Sequence, residues 1–225
     1  MHNNAAYRTG SELCPGKRVC EWRAGELARR GFVEPLRIRL TQLTAENGGR
    51  MSQTECNSDD ANEAAAEGHL EVIRALRAHG IYCDFNGAND AARNGHLEVV
   101  RELWDEGCCC NEYGAGWAAA NGHVDVVREL AAHGICCCDS DADLAAQRGD
   151  LEMIRELRSQ GIHCTKQGAD WAARNGHLVV IRDLWEHSIH CTSEGAHWAR
   201  KNGHIEVVRD LAAQGTIERM RLHSR

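Results

Sequence analysis

Cysteine and histidine are the residues of this 225-residue chain best suited to chemistry, and both recur at a fixed interval. Of twelve cysteines, six lie 27 residues apart: Cys56, Cys83, Cys110, Cys137, Cys164 and Cys191. A histidine column keeps the same interval at His69, His96, His123, His177 and His204. Thiolates and imidazoles bind soft or borderline metals, and thiols also oxidise. A metal centre and a redox site are therefore the first functions to weigh.

The interval itself argues against both functions for these two columns. Stacked helices lie about 8–10 Å apart, whereas a disulfide needs Cα atoms within about 7 Å. We interpret the cysteine column as small buried hydrophobes in a reducing compartment. Asp150 replaces histidine in the fourth copy, and aspartate caps helix N-termini well. We therefore predict a capping or loop-fixing role for the histidine column.

Two cysteine runs leave an alternative open. Cys108–Cys110 and Cys136–Cys138 occupy loops of the third and fourth copies, without the CxxC spacing of a zinc finger. A thiol-rich patch that binds a soft metal or senses oxidation remains the alternative hypothesis. We assign no catalytic, cofactor-binding or metal-binding residue, because there is no phosphate loop, nucleophile elbow or paired carboxylate site in a unique context.

The elements that carry these columns are set by six glycines spaced 27 residues apart. They are Gly68, Gly95, Gly122, Gly149, Gly176 and Gly203. Five of them follow a short helix with an Ala-Ala pair, such as Ala172-Ala173, and the sixth follows Ala199-Arg200. Each glycine predicts a left-handed helix end and tight turn. The second helix buries four aliphatic positions, as in Leu178, Val180, Ile181 and Leu184. A fixed period of this size predicts a solenoid in which each unit packs on its neighbours.

An arginine recurs on the other face of the second helix, at Arg74, Arg101, Arg128, Arg155, Arg182 and Arg209. An acid stands three residues earlier in five copies, which favours i,i+3 ion pairs. We interpret the column as structural, with an anion-binding stripe as the alternative.

The run AARNGHLEVVREL, from Ala91 to Leu103, recurs in tandem and resembles the ankyrin repeat, whose core phrase is AAxxGHxxVVxxLL. The resemblance covers residues 54–215 and implies an all-α, ankyrin-like solenoid of stacked helix-turn-helix repeats. The usual period is 33, so six residues are missing from the segment that normally forms the protruding hairpin, which we expect to be shortened or absent. Such short units resemble arrays of protists and large DNA viruses.

The predicted organisation has three parts. Residues 1–53 form a basic region with a degenerate capping repeat at about 20–43, built on Gly31 and Pro35, and a loop. Residues 54–215 hold six repeats, and residues 216–225 a C-terminal tail or cap. Terminal repeats commonly diverge to present a polar outer face.

Charge and composition restrict the partner classes. Residues 1–50 carry +4 and residues 51–225 carry −11, for a net charge of −7. An acidic array argues against nucleic acid as a partner, and no apolar run is long enough to span a membrane or resembles a secretory signal. We expect a monomer in the cytoplasm, or in the host cytoplasm if the protein is viral.

Three variable columns on and around the first helices mark the predicted partner surface, which by resemblance is the concave one. Its predicted residues are Phe85, Asn89, Arg93, Glu112, Asp139, Asp143, Lys166, Asp170, Arg174, His197 and Lys201. A fourth column holds Trp117, Leu144, Trp171 and Trp198, which we interpret as core filling, with an exposed interface stripe as the alternative. Glu63 and Asp90 stand in this column in the first two copies, so its edge must reach solvent.

The sequence thus favours a non-enzymatic scaffold or adaptor that binds a protein partner through the variable surface of the array. A metal-binding or redox-sensing thiol protein is the second hypothesis. A substrate adaptor of a ubiquitin ligase is a minor one, because residues 1–50 show no convincing Leu-Pro recruiting box.

Overall fold

The computed structural model of the chain describes residues 23–46 and 55–215, and within these residues every regular element is a helix. The helices are α1 (Ala24–Arg29), α2 (Val33–Glu46), α3 (Ser58–Ala66), α4 (Leu70–Arg77), α5 (Phe85–Arg93), α6 (Leu97–Asp105), α7 (Glu112–Asn121), α8 (Val124–Ala132), α9 (Asp139–Arg148), α10 (Leu151–Ser159), α11 (Lys166–Asn175), α12 (Leu178–Glu186), α13 (Ser193–Lys201) and α14 (Ile205–Ala213). The predicted all-α fold is confirmed, and the segments between repeats in the described residues form no hairpin strands.

The chain divides into two compact units, Met1–Asn111 and Glu112–Arg225. In the first unit α1 packs on α3 and α3 on α5, while α2 packs on α4 and α4 on α6. In the second unit α7, α9, α11 and α13 pack in succession, α8 packs on α10, and α12 packs on α14. Within each unit, first helices therefore stack on first helices and second helices on second helices, which is the arrangement of a helical solenoid.

Small side chains bring the first helices close together. The alanine pairs of α3, α5, α7, α9 and α11 are fully buried, and in α13 Ala199 is buried while Arg200 is exposed. Each second helix contributes a fully buried leucine: Leu76, Leu103, Leu130, Leu157, Leu184 and Leu211. Burying such a leucine stabilises the fold by about 1.5–3 kcal/mol. Because the 27-residue interval is unbroken, every repeat has one of these buried leucines.

The turn glycine serves two purposes at once. Gly149 and Gly176 have φ of 81° and 83° and end their helices in the left-handed conformation. A Cβ at Gly149 would also lie 2.5 Å from Nδ1 of His177, the histidine of the following repeat. The histidine column therefore packs its rings against the preceding turn, and His177 Nε2 lies 2.9 Å from the Gln147 carbonyl oxygen.

Of the capping or loop-fixing role predicted for the histidine column, the capping part is wrong and the contacts with the preceding turn agree with the loop-fixing part. Asp150 does cap its helix. None of the five histidine side chains caps its helix. Asp150 Oδ1 instead accepts a hydrogen bond from the Met153 N–H at 3.0 Å. Because the imidazole packs against the preceding turn, it cannot also accept a hydrogen bond from the first N–H groups of its own helix.

Arginines of the second helices link successive repeats. Arg128 pairs with Asp125 of its own helix at 3.0 Å and with Glu156 of the next repeat at 2.7 Å. Arg182 pairs likewise with Asp210 at 2.8 Å. Arg74 pairs with Glu71 and Glu102. The structural interpretation of this column follows from these pairs, since the guanidinium groups already hold carboxylates.

Residues 23–46 form a helix pair on the first repeat. Gly31 has φ of 72°, and the His69 ring lies 2.7 Å from where its Cβ would be, and histidine rings lie equally close at three of the other turn glycines. Arg29 pairs with Asp60 and Glu63 of α3, both at 3.3 Å. The rest of the predicted N-terminal region, residues 1–22 and 47–53, and the predicted cap at residues 216–225 lie outside the described residues.

Candidate interaction surface on the first helices

One of the three variable columns joins repeats to each other. Asn89 Oδ1 accepts a hydrogen bond from the Asn111 N–H at 3.0 Å. Both Asp143 oxygens accept from Thr165, one from its N–H and one from its Oγ1, each at 2.7 Å. Asp170 accepts from Thr192 in the same way, at 2.6 Å each. Asn62 Oδ1 accepts from the Asp84 N–H at 3.0 Å. We call these four residues of the column, Asn62, Asn89, Asp143 and Asp170, the inter-repeat clamp; the column's third and sixth positions hold Gly116 and His197.

The clamp explains a second set of glycines, inside the first helices. A Cβ at Gly168 would lie 2.3 Å from Asp143 Oδ1 and 3.0 Å from its Cα. At Gly87 it would lie 2.4 Å from Asn62 Oδ1 and 2.9 Å from the Asn62 Cα. Glycine lowers helix propensity by about 1 kcal/mol relative to alanine, so its presence here reflects the space that the clamp occupies.

Burial therefore removes clamp residues from the predicted partner surface. Asn89 and Asp143 are each only 4% exposed, and Asp170 is half-buried. Their side-chain oxygens serve the neighbouring repeat and are not available to a partner. The sequence showed the variation in this column, but the direction of its side chains depends on the offset between repeats, which a period cannot reveal.

The other predicted surface residues are exposed. Phe85, Glu112, Asp139 and Lys166 begin first helices, and Arg93, Arg174 and Lys201 lie near first-helix ends. Asp139 Oδ1 also accepts from the His163 N–H at 3.1 Å. His197 is exposed and stands edge-on to Trp198, with ring centroids 5.8 Å apart.

The tryptophan column is a surface feature of the second unit. Trp117 is 42% exposed and Leu144 is 37% exposed, while Trp171 and Trp198 are half-buried. The core-filling interpretation is wrong for this column, because the fully buried alanine pairs and leucines already form the core beneath it. The acids in the same column, Glu63 and Asp90, were the signal for this in the sequence.

A pocket of about 390 Å³ lies between α11 and α13. Trp171 and Trp198 supply its apolar walls. The remaining lining residues are Lys166, Gln167, Asp170, Arg174, Thr192 and Glu194. Three residues predicted from the sequence, Lys166, Asp170 and Arg174, thus meet at one site, whereas Gln167, Thr192 and Glu194 were not anticipated.

Two cations are stacked on Trp198. The Arg174 guanidinium carbon lies 4.9 Å from the ring centroid and the Lys201 ammonium nitrogen 4.5 Å from it. A cation over an indole face is attracted by about 0.5–1 kcal/mol at an exposed site. The stacking holds both charges beside the pocket, where an anionic group could reach them.

The thiols of the cysteine column do not form a reactive site. Burial raises the pKa of Cys83, Cys110 and Cys164 to about 12, so these thiols stay protonated at neutral pH. Each of the three donates a hydrogen bond from Sγ to a carbonyl oxygen of the preceding repeat, at 3.2–3.3 Å. Protonated thiols are neither nucleophiles nor metal ligands.

The cysteine runs differ from the column. Cys109, Cys136 and Cys138 are exposed, and burial raises the pKa of Cys108 to about 11. Over residues 23–46 and 55–215, no three His, Cys, Asp or Glu side chains are grouped so that they could hold a metal ion. In those residues no helix is long and apolar enough to cross a membrane.

Stacked helix pairs with an exposed, variable first-helix surface define a helical repeat protein, and part of the chain matches a known repeat family. A family model described as ankyrin repeats (3 copies) matches residues 61–141 and, overlapping them, residues 88–168. Each match is three 27-residue periods long. Together the two matches span residues 61–168, just under half of the chain, and this similarity to ankyrin repeats is the one that the recurring AAxxGHxxVVxxLL-like phrase predicted.

Solved structures support the fold. The crystal structure of the human ASB11 ankyrin repeat domain is similar, with a TM-score of 0.59 and 16% identity over 74% of this chain and 84% of that one. Two structures of the pentatricopeptide repeat protein PPR10 with an 18-nucleotide psaJ RNA element have TM-scores of 0.44 and 15% identity, over 85% of this chain and 32% of theirs. Scores that low carry no argument about this chain. No curated protein matches the sequence.

Proposed function

We propose that this chain is a non-enzymatic protein-binding scaffold whose partner docks on the first-helix surface of the second unit. Ankyrin repeats generally mediate protein–protein interaction. The observation that carries the proposal here is the column Trp117, Leu144, Trp171 and Trp198, which replaces the acids of the first unit with partly exposed apolar side chains. Tryptophan is enriched among the residues that dominate binding energy at interfaces.

The framework supports this function by holding the surface in place. The clamp fixes the start of one first helix to the body of the preceding one, through bonds of 2.6–2.7 Å at Asp143 and Asp170. Pre-organised side chains lose little conformational entropy on binding. The recurring arginines, histidines and cysteines serve this framework, which leaves the variable positions for recognition.

Affinity capture tests the proposal. Wild-type protein and a Trp171→Ala/Trp198→Ala variant would serve as baits under reducing conditions, with captured proteins identified by mass spectrometry. A Val179→Ala/Ile205→Ala variant is the matched control, because these residues are 64% and 62% exposed but lie on second helices. Circular dichroism would verify that all baits are folded.

We expect the tryptophan variant to lose partners that the wild type and the control retain. Loss of the same partners from both variants, or from neither, would contradict the placement of the surface. A chelator added to the wild-type bait tests the thiol hypothesis, since capture that depended on it would make the cysteine runs the site. The ubiquitin-ligase adaptor hypothesis stays a prediction, with no described residue favouring it.

A further inference from the structure

The pocket between α11 and α13 combines apolar walls with cations beside them. Within the described part of the chain, Lys166, Arg174 and Lys201 form no ion pair with an acid. The second-helix arginines behave in the opposite way, as Arg128 and Arg182 each pair with a carboxylate of the next repeat. Two classes of cation are thus distinguished by whether the fold itself supplies the counter-charge.

The carboxylates near the pocket offset these charges only in part. Asp170 lines the pocket and keeps its negative charge, and both of its oxygens accept hydrogen bonds from Thr192 at 2.6 Å. Glu194 is the other acidic lining residue and is exposed. Lys166 and Arg174 line the site and Lys201 lies beside it on Trp198. Against the two acids Asp170 and Glu194, these three cations leave a local charge of +1 (3 − 2), whereas residues 51–225 carry −11. The local sign is opposite to that of the array.

From this arrangement we infer that the pocket binds an acidic peptide segment of the partner, with one large apolar side chain between Trp171 and Trp198 and flanking Asp or Glu side chains against Lys166, Arg174 and Lys201. The inference rests on the proposed function and names the chemistry of its partner. Arg174 and Lys201 meet the peptide already aligned, because Trp198 holds them at 4.9 and 4.5 Å.

The size and charge of the site favour this occupant. A volume of about 390 Å³ is near the lower end of the roughly 300–1,000 Å³ of ligand pockets. It suits an anchoring side chain with its neighbouring residues. A nucleic acid also carries anions, but its affinity grows with the number of phosphates neutralised, and the charge of −11 on residues 51–225 repels a long polyanion. A short peptide places a few carboxylates only where the cations are.

The test uses labelled peptides of defined composition and the full-length protein. Eleven-residue peptides would carry Leu, Phe or Trp at the centre. The flanking residues would be Glu and Asp in the acidic peptides, Lys and Arg in the basic ones, and Ser and Gln in the neutral ones. Binding would be measured by fluorescence polarisation. Labelled oligo-uridine of about the same length is the nucleic-acid probe. Variants are Lys166→Gln, Arg174→Gln and Lys201→Gln, singly and together, with Arg182→Gln as the control for loss of a second-helix cation.

We expect only the acidic peptides with an apolar centre to bind the wild type, with weaker binding at higher salt. Each pocket substitution should lower the affinity about two- to fivefold, the triple variant about tenfold or more, and Arg182→Gln less than about twofold. Preference for the neutral or basic peptides, unchanged affinity in the triple variant, or equal binding of oligo-uridine would overturn the inference.

Failure of this inference can be told apart from failure of the proposed function. If Trp171→Ala/Trp198→Ala abolishes capture but no acidic peptide binds, the scaffold function stands and the acidic partner is wrong. If capture is unaffected by the tryptophan substitutions, the proposed surface itself is wrong. Thermal unfolding of every variant, followed by circular dichroism, verifies that altered binding does not reflect unfolding.

Discussion

The two units share one framework and present different surfaces. At equivalent first-helix positions the first unit has Glu63 and Asp90, whereas the second has Trp117, Leu144, Trp171 and Trp198. Glu63 pairs with Arg29 at 3.3 Å, so in the first repeat this position serves contact with the N-terminal helix pair. Clamp residues, turn glycines and buried leucines meanwhile recur in both units. The comparison separates positions that build the solenoid from those that are free to specialise.

The largest expected effect is on the shared framework. Gly168→Ala in the second unit and Gly87→Ala in the first should each lower the free energy of unfolding by about 2–3 kcal/mol, because the new Cβ would overlap the clamp residue. Chemical denaturation of both variants is the measurement.

The control is Gly116→Ala, where the three atoms nearest the Cβ belong to the Asp141 carboxylate, at 2.9–3.4 Å, and none of them is a backbone atom. It should cost less than about 1 kcal/mol. A strong effect in one unit and none in the other would break the idea of a common framework.

The next effect concerns the ion pairs that second-helix arginines make with carboxylates of the next repeat, and it depends on pH. Burial raises the pKa of Asp183, but hydrogen bonds from Arg158 and Arg155 outweigh this and leave the pKa below its usual value. Asp183→Asn should therefore lower the free energy of unfolding at pH 7 by about 1.5–3 kcal/mol. A folded-state pKa below the unfolded one gives stability that is present at neutral pH and is lost as pH falls through the folded pKa.

Unfolding of wild type and Asp183→Asn from pH 7 to pH 3 checks the sign of this linkage. The difference between the two proteins should shrink once the pH falls below about 4. Glu102→Gln provides the matched case in the first unit, because Arg74 likewise keeps the pKa of Glu102 low. A difference that grew on acidification would contradict the ion-pair account.

A smaller effect is expected at the second turn of each repeat. Glycine stands there with positive φ at Gly80, Gly107, Gly134, Gly161 and Gly215, but the fifth repeat has Ser188 at φ 64°. Ser188→Gly should raise the free energy of unfolding by about 1 kcal/mol, because glycine adopts the left-handed conformation without strain.

Gly161→Ser is the reciprocal variant, and it should destabilise by a similar amount. No atom lies within 4 Å of a Cβ at Gly161, so the added side chain causes no clash and the destabilisation comes from the left-handed backbone conformation alone. Thermal unfolding measures both variants. The two variants should change the free energy of unfolding in opposite directions. A destabilising Ser188→Gly would show that the serine side chain has a stabilising contact.

The smallest effect on stability should come from the tryptophan column, to which Leu144 belongs. Leu144→Ala is expected to cost less than about 1 kcal/mol because Leu144 is 37% exposed. Leu157→Ala in the same repeat should cost about 2–5 kcal/mol, since Leu157 is fully buried. Similar losses for both would restore the core-filling interpretation of the column.

The sequence was sufficient for the fold and for part of the surface. The glycine interval, the alanine pairs and the short period predicted stacked helix pairs without hairpin strands, because each of these is a local property of one repeat. The pairing of Arg128 with Glu156 and the bonding of Asp143 to Thr165 were missed, since both depend on the offset between neighbouring repeats. Lys166, Arg174 and His197 were predicted as surface residues, but their meeting around Trp171 and Trp198 required coordinates.

The central claim is that the second unit carries the binding surface and the first unit does not. The most direct test measures the dissociation constant of a captured partner for the wild type, for Trp171→Ala/Trp198→Ala and for Glu63→Ala/Asp90→Ala, which changes the same column in the first unit. The account predicts a loss of about 30-fold or more for the tryptophan variant, as for an interface hot spot, and less than about threefold for the acidic one. Equal losses, or a larger loss in the first unit, would contradict it.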